Sequence, residues 1–331
     1  MLTIERNYDL SLRNTFRMKV SCACFVEYDS VKDLVSLDFD SLPQPVMSIG
    51  GGSNMLFTRD FPGTVLHSAI KTVKYVDMGL DDLPIIVGAG VTVDDFIAEV
   101  CGHGLWGMEN LSLIPGEMGA AAVQNIGAYG VEIKDVISGV SCFDLQERKT
   151  CKFSVSECAY GYRDSVFKHC AGRYVITSVL VRLSRKPKPR LDYRGLSELA
   201  PESPADVRRA VIGIRESKLP DPAETGSAGS FFKNPVVSAA QFAAIAQGYD
   251  TVPHFILDGG FVKVPAAWMI EQCGLKGVVE GGAAVYEKQP LVIVNASGNA
   301  CPEDVLKLEN RIRASVLEKF GVELQPEVEH I

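Results

Sequence analysis

The amino-acid sequence predicts an α/β (α+β) chain organised as three domains, and three observations predict it. Strand-like apolar runs alternate with amphipathic helix-like segments over the 331 residues. The pattern changes near residues 71 and 220, which sets expected domains of 1–70, 71–218 and 219–331. Two segments, one around Gly50-Gly51-Gly52 and one from Pro115 to Gly130, hold mostly small residues, as chain does where backbone must come close to a partner.

In the first domain, residues 20–27 (VSCACFVE) read as a strand and 30–37 (SVKDLVSL) as a short helix. The apolar run in PVMSIGGGSNMLF then enters three glycines, and a strand leading into a glycine loop is where open α/β sheets commonly bind phosphates. In the second domain, TVKYVDM (72–78) and LPIIVGAG (83–90) are strand-like. The next segment predicts a helix capped by Thr92 with Asp95 three residues on, and Val93, Phe96, Ile97 and Val100 recur at helical spacing. Gly102 or Gly104 ends it. VISGVSCFDL, KTCKFSV and RYVITSVLVRLS follow as strands. A helix over 203–218 has Ser203 as its cap, Pro204 in its first turn and Asp206 completing the capping pattern. Its apolar face is Val207, Ala210, Val211 and Ile214. The third domain adds helices over 238–246, 265–273 and 302–320 and the strand LVIVNAS. Its tail, VELQPEVEHI, alternates like a strand, with Pro326 as an edge or a break.

Composition narrows the function. The chain is 47% hydrophobic and 22% charged, with a net charge of −8, which argues against a nucleic-acid or membrane-surface partner. No run approaches the roughly 18–20 apolar residues of a membrane span, and the start MLTIERNYDLSLRN is too charged for a secretory signal. Nine cysteines without a CxxC pair read as reduced thiols of a cytoplasmic protein. Five isolated histidines, without HExxH or zinc spacing, predict no metal site and read as surface or packed residues.

Several motifs carry chemistry. Gly50-Gly51-Gly52-Ser53-Asn54 offers closely spaced N–H groups that suit a pyrophosphate, although a plain turn would use the same residues. Ile114-Pro115-Gly116, Gly119, three alanines and Gln124 to Gly130 suit either tight helix packing or chain lining a large flat ligand. The amides of Gln124 and Asn125 can hydrogen-bond a heteroaromatic edge. Together the two segments suggest one extended cofactor with a pyrophosphate and a ring system. In YGYRDSVFK, Tyr162 sets a ring beside the Arg163 guanidinium, which can hold a carboxylate or an oxyanion. Arg215 and Lys218 close a helix just before TGSAGSFFKNPVV, in which Gly226 and Gly229 precede Ser230. Glu327 lies in the tail. Taken singly, a surface ion pair, a helix-dipole partner and an exposed carboxylate account for Arg163, Lys218 and Glu327.

Taken in order, GGGSNMLF, IPGEMGAAAVQNIGAYGVE, YGYRDSVFK, RESKLPDP, GSFFKNP and QPEV closely resemble the UDP-N-acetylenolpyruvoylglucosamine reductases, the MurB family. Order and spacing hold from NTF at residue 14 to residue 328, and LDYRGL around Tyr193 resembles the extra loop of the longer subtype. The resemblance implies an FAD flavoprotein. Its first two domains would hold FAD in the vanillyl-alcohol-oxidase type of fold. The third would be an α/β substrate domain, its C-terminal tail returning to the active site. The implied reaction takes UDP-N-acetylglucosamine enolpyruvate to UDP-N-acetylmuramate, with electrons from NADPH passing through the flavin. It would serve peptidoglycan synthesis, and through it cell-wall biogenesis, cell shape, the cell cycle and division, as a cytoplasmic monomer.

Residue roles follow from the same resemblance. Ser230 matches the proton donor that acts after hydride leaves flavin N5, Arg163 the catalytic arginine and Glu327 the catalytic glutamate. Substrate contacts carry over to Tyr162, Tyr193, Lys218, Asn234 and Gln289. FAD contacts carry over to Gly50, Gly51, Gly52, Ser53, Asn54, Ile114, Pro115, Gly116, Gly119, Asn125, Gly127 and Tyr129. Phe231 and Phe232 are expected to pack. The sequence departs from the family at Glu117 and Met118, where Thr and a small apolar residue are frequent, and at Ala122–Val123, where Pro–Ile is common. The histidines lie outside the cofactor motifs, so the FAD is expected to be non-covalent. An FAD-dependent alcohol or aldehyde oxidase of the same fold would share the glycine segments without needing Ser230, Arg163 and Glu327. A non-enzymatic nucleotide-binding module would have no use for a proton donor.

Overall fold

The computed structural model of the chain describes residues 1–77, 79–193 and 195–331. Met78 at the end of TVKYVDM and Arg194 in LDYRGL lie outside the described residues. The chain separates into two units. One comprises Met1–Asp9, Ser21–Gly51 and Phe61–Glu216, and the other Leu10–Val20, Gly52–Asp60 and Ser217–Ile331.

In the first unit, four strands pair in the order Leu2–Asp9, Ser21–Tyr28, Phe61–Ser68, Val46–Ile49. The first pair is antiparallel and the other two are parallel. Residues 63–68 are all buried, so Phe61–Ser68 reads as a continuous run rather than an alternating one, as an inner parallel strand does. Helix α1, Val31–Ser36, is capped by the Ser30 hydroxyl, which accepts from the Asp33 N–H at 3.1 Å.

A five-stranded antiparallel sheet runs Lys149–Ser154, Ile137–Asp144, Tyr174–Ser184, Asp82–Gly88, Val73–Tyr75. Helix α2, Val93–Gly102, buries the expected Val93, Phe96, Ile97 and Val100 in the same apolar core as Ile85, Val87 and Val179. Thr92 makes no side-chain cap there, and Gly104, at φ 73°, follows the helix end. Helix α3, Met118–Gln124, arises from the small-residue run. Its alanines favour helix, yet they give no apolar periodicity from which to read one. Helices α4, Val166–His169, and α5, Pro204–Lys218, complete the helices of this stretch. At the start of α5 the Asp206 carboxylate accepts both the Ser203 N–H and its hydroxyl at 2.9 Å. The Asp206 half of the capping pattern therefore forms, while the Ser203 hydroxyl donates to the carboxylate, the stronger acceptor.

In the second unit, an antiparallel sheet runs Gly226–Ser230, Val292–Asn295, Ala283–Val285, Val279–Glu280. A smaller sheet joins Val236–Ser238, Phe261–Lys263 and Phe255–Ile256. Helix α6, Ala239–Ala246, starts with a full capping box of Ser238 and Gln241. Helix α7 is Ala266–Gln272, and α8, Pro302–Phe320, buries Val305, Leu308, Ile312 and Val316. Gly321 closes α8 in the left-handed conformation, φ 64°. The tail is a strand only at Glu329–His330, which pairs in parallel with Met55–Leu56. Pro326 has no N–H to donate and meets Phe232 in an isolated bridge, so the alternation read in the sequence does not extend into one strand.

Candidate active site

Ser230 stands at the end of its strand. Ser227 pairs with Val294 and Ser230 with Val292, so one extra residue bulges on the serine side. Such a bulge re-aims the side chain that follows it. Gly229 sits in the bulge at φ 69°, with nothing within 4 Å of where a Cβ would be. The glycine is needed for its backbone angle and not for lack of room. Gly226 is the opposite case, since a Cβ there would lie 2.5 Å from the Phe16 carbonyl oxygen. Ser230 itself is exposed, while Phe231 and Phe232 are buried as expected.

The tail is tied to this strand. The Phe231 carbonyl accepts the Glu327 N–H at 2.8 Å, placing Glu327 against the residue next to Ser230. The Glu327 carbonyl accepts from Asn54 Nδ2 at 3.1 Å, and the Asn54 carbonyl accepts the Glu329 N–H at 3.0 Å. Ser230, Glu327 and Asn54 thus come together although they span most of the sequence. Gly52, just before them, would drive a Cβ to 2.1 Å from the Arg13 carbonyl oxygen and takes φ 61°. Ser53 continues the same turn. The Gln289 carbonyl accepts the Val292 N–H, opposite Ser230, and its buried Oε1 has no partner among the described residues. Asn234 Oδ1 accepts the Ala266 N–H at 2.9 Å and so starts α7. Lys218 is exposed at the end of α5.

In the first unit the two glycine segments meet. A Cβ on Gly50 would lie 2.9 Å from Ala120 Cβ, and one on Gly51 would touch Gly116 Cα at 3.6 Å. Gly116 also accepts the Val93 N–H at 3.0 Å, and Ile114 and Pro115 lead into it. Gly119 is confined by Ala89. Asn125 is fully buried with φ 46°. Its Nδ2 donates to the Gly161 carbonyl (2.7 Å) and to Glu132 Oε2 (3.2 Å), and its Oδ1 accepts the Lys134 N–H. Of the two amides expected at a heteroaromatic edge, that of Asn125 therefore holds the turn. Gln124 has a buried Nε2 without a partner among the described residues.

Arg163 is seated on this same turn. Its guanidinium donates to the carbonyls of Gly127 and Asn125 and lies 5.3 Å from the centre of the Tyr162 ring. A Cβ on Gly127 would fall 2.8 Å from Arg163 Nη1 and 2.9 Å from Glu132 Cγ, so a larger residue there would displace the guanidinium. The ring of Tyr129 stands edge-on to that of Tyr193, with centroids 4.9 Å apart. Burial raises the Tyr129 phenol above its ordinary range, with the nearby Arg215 acting the other way.

Sequence reading missed one cluster beside these segments. His67 is buried, with Nδ1 2.8 Å from Glu27 Oε2 and Nε2 3.0 Å from Glu117 Oε1. Glu117 Oε2 lies 3.4 Å from where a Cβ on Gly50 would sit. A histidine expected to be incidental is thus joined to the glycine segments through Glu117, a position at which the sequence departs from the family pattern. The signal was that departure. Among the described residues, no group of three or more His, Cys, Asp or Glu is arranged to hold a metal, and no helix is long and apolar enough to cross a membrane.

FAD fits the first unit by one observation: the buried Gln124 Nε2, beside the glycine segments, is a donor without a partner among the described residues. An FAD-binding-domain family model matches residues 24–148, so the class of protein is a flavoprotein. A second model, the C-terminal domain of UDP-N-acetylenolpyruvoylglucosamine reductase, matches residues 221–331. The crystal structure of UDP-N-acetylenolpyruvylglucosamine reductase from Thermus caldophilus shares the fold, with a TM-score of 0.71 at 23% identity, covering 100% of this chain and 99% of that one. The UDP-N-acetylenolpyruvoylglucosamine reductase of Bacteroides fragilis (strain YCH46) is 49% identical over 99% of this chain and 100% of its own length. That of Chromobacterium violaceum is 45% identical over 98% and 99%. The chain belongs to the UDP-N-acetylenolpyruvoylglucosamine reductase family.

Proposed function

We propose that this chain reduces UDP-N-acetylglucosamine enolpyruvate to UDP-N-acetylmuramate in peptidoglycan precursor synthesis, with NADPH as electron donor and FAD bound non-covalently. The observation that carries the reading is Ser230, exposed beyond a glycine bulge and neighboured by the backbone of Glu327. Bound FAD would supply the two-electron hydride chemistry that links NADPH to the methylene carbon of the enolpyruvyl group. Ser230 donates its hydroxyl proton to the adjacent carbon. A serine is a weak acid in water, but that carbon, electron-rich beside a carboxylate, is a strong base. Arg163, steadied on the carbonyls of Asn125 and Gly127, offers its charge to the carboxylate as negative charge builds there. Glu327 orients the same group.

Residues 1–70 and 71–218 hold the cofactor, and 219–331 cover the substrate. Gly50 to Asn54, Ile114 to Gly116, Gly119, Gly127 and Tyr129 face the cofactor, and Asn125 shapes the turn between them. Tyr162, Tyr193, Lys218, Asn234 and Gln289 serve the substrate, Lys218 and Tyr193 at its nucleotide diphosphate end. The enzyme acts as a cytoplasmic monomer.

The test is the visible spectrum of the purified protein. A flavin band that bleaches with NADPH and returns on adding the enolpyruvyl nucleotide supports the reading. Bleaching by an alcohol or aldehyde in place of NADPH, or an NADPH-reduced flavin that under anaerobic conditions stays bleached on adding the enolpyruvyl nucleotide, refutes it.

A further inference from the structure

Asn110 lies on the short turn Glu109–Leu111, just ahead of Ile114-Pro115-Gly116, and is 1% exposed. Its Nδ2 donates to two carbonyls far apart in sequence, those of Tyr129 at 2.9 Å and Arg190 at 2.8 Å. Its Oδ1 is buried without a partner among the described residues. Turning the amide over would set its oxygen against both carbonyls, so only this orientation makes bonds. A buried acceptor left dry costs stability, and an apolar side chain of the same shape would avoid that cost. The two donor bonds are what an amide adds here over leucine.

Those bonds join particular pieces of chain. Tyr129 closes the segment that faces the cofactor. Arg190 leads three residues on to Tyr193, and the Tyr129 and Tyr193 rings meet edge-on at 82°. The strap around 190–193 is thus fastened to the cofactor segment twice, by backbone through Asn110 and by ring contact. We propose that Asn110 is a positioning residue that couples the cofactor segment to the strap carrying Tyr193, so that FAD binding sets the strap for the nucleotide substrate. The inference rests on the proposed function, in which Tyr129 faces FAD and Tyr193 the substrate.

Trypsin reads the coupling directly, because the Arg190–Leu191 bond it cuts contains the carbonyl that Asn110 holds. The full chain is digested with and without FAD, and cleavage after Arg190 is timed by mass spectrometry. In the unaltered protein FAD slows that cut by about tenfold, the scale of one or two hydrogen bonds. Asn110→Ala keeps the flavin absorption band and its bleaching by NADPH, but FAD no longer protects Arg190, and KM for the enolpyruvyl nucleotide rises about tenfold with kcat changing less. Protection that survives Asn110→Ala overturns the inference. So does an unaltered protein whose Arg190 is cut equally fast with and without FAD, which decides the matter even if the variant does not fold. A chain that takes up no flavin overturns the functional reading as well, and the missing absorption band tells that failure apart.

Discussion

Substituting Gly119 with alanine puts the second glycine segment under strain. The new Cβ would lie 2.8 Å from Ala89 Cβ and 3.3 Å from the Ala89 carbonyl oxygen. Carbon atoms settle at about 3.5–4.0 Å, so one side must move by roughly 0.7–1.2 Å. Ala89 cannot yield easily. Its N–H donates to the Thr177 carbonyl at 3.0 Å, and its own carbonyl accepts the Gly119 N–H at 2.9 Å. Helix α3 is therefore the part that shifts, carrying Gln124 and the turn at Asn125 with it. Alanine is a better helix former than glycine by about 1 kcal/mol, while overpacking costs about 1–3 kcal/mol. Taken together, the variant loses up to about 2 kcal/mol, and FAD affinity falls up to about 30-fold as the shift reaches the turn at Asn125. Fluorescence titration of flavin-free protein with FAD, alongside a thermal melt, measures both. A Gly119→Ala protein that melts higher and binds FAD as before would show that helix propensity alone matters there, and the close-packing argument would fail.

Other expectations follow from the same geometry. Ser230→Ala should leave bleaching by NADPH nearly intact and slow reoxidation by the enolpyruvyl substrate by about 10²-fold or more in stopped flow; equal loss in both half-reactions would remove the proton-donor role. Arg208 pairs with Asp94 at 2.9 Å, and Asp94 also accepts the Leu113 N–H just before Ile114-Pro115-Gly116. Burial works to raise the Asp94 carboxyl, but the bonds from Arg208 and Leu113 outweigh it and hold the group below its ordinary range. That stability is present above the unfolded value of about 3.9 and is lost as pH falls through the folded one. Arg208→Ala should therefore cost about 1–3 kcal/mol at pH 7, with the gap to the unaltered protein closing below about pH 4; a gap independent of pH would refute the pairing argument. Glu109 is 1% exposed, and burial raises its carboxyl against the pull of the Gly107 N–H. The folded state thus holds this proton more tightly than the unfolded one, and stability falls as pH rises from the ordinary glutamate range through the raised folded value. Glu109→Gln, which keeps an acceptor for Gly107, should melt higher than the unaltered protein at pH 7–8 and equal to it near pH 4. A lower melting point at pH 7–8 would mean that the ionised carboxylate is compensated.

Sequence alone determined what local chemistry can encode. Residues with a strong period, such as Val93, Phe96, Ile97 and Val100 or Val305, Leu308, Ile312 and Val316, announced their helices, because burial of one face repeats along the chain. The glycine segments announced close approach, because only a missing side chain permits it. Six motifs in order announced the family. Helix α3 was hidden, since alanines carry propensity without period. What the tertiary structure decided was partnership. It assigned the Asn125 amide to the turn, brought Glu327 and Asn54 to the strand of Ser230, set His67 against Glu117, and aimed one amide of Asn110 at carbonyls 19 and 80 residues away. Hydrogen bonds between distant residues leave no periodicity behind, because each depends on where two separate stretches of backbone come to rest.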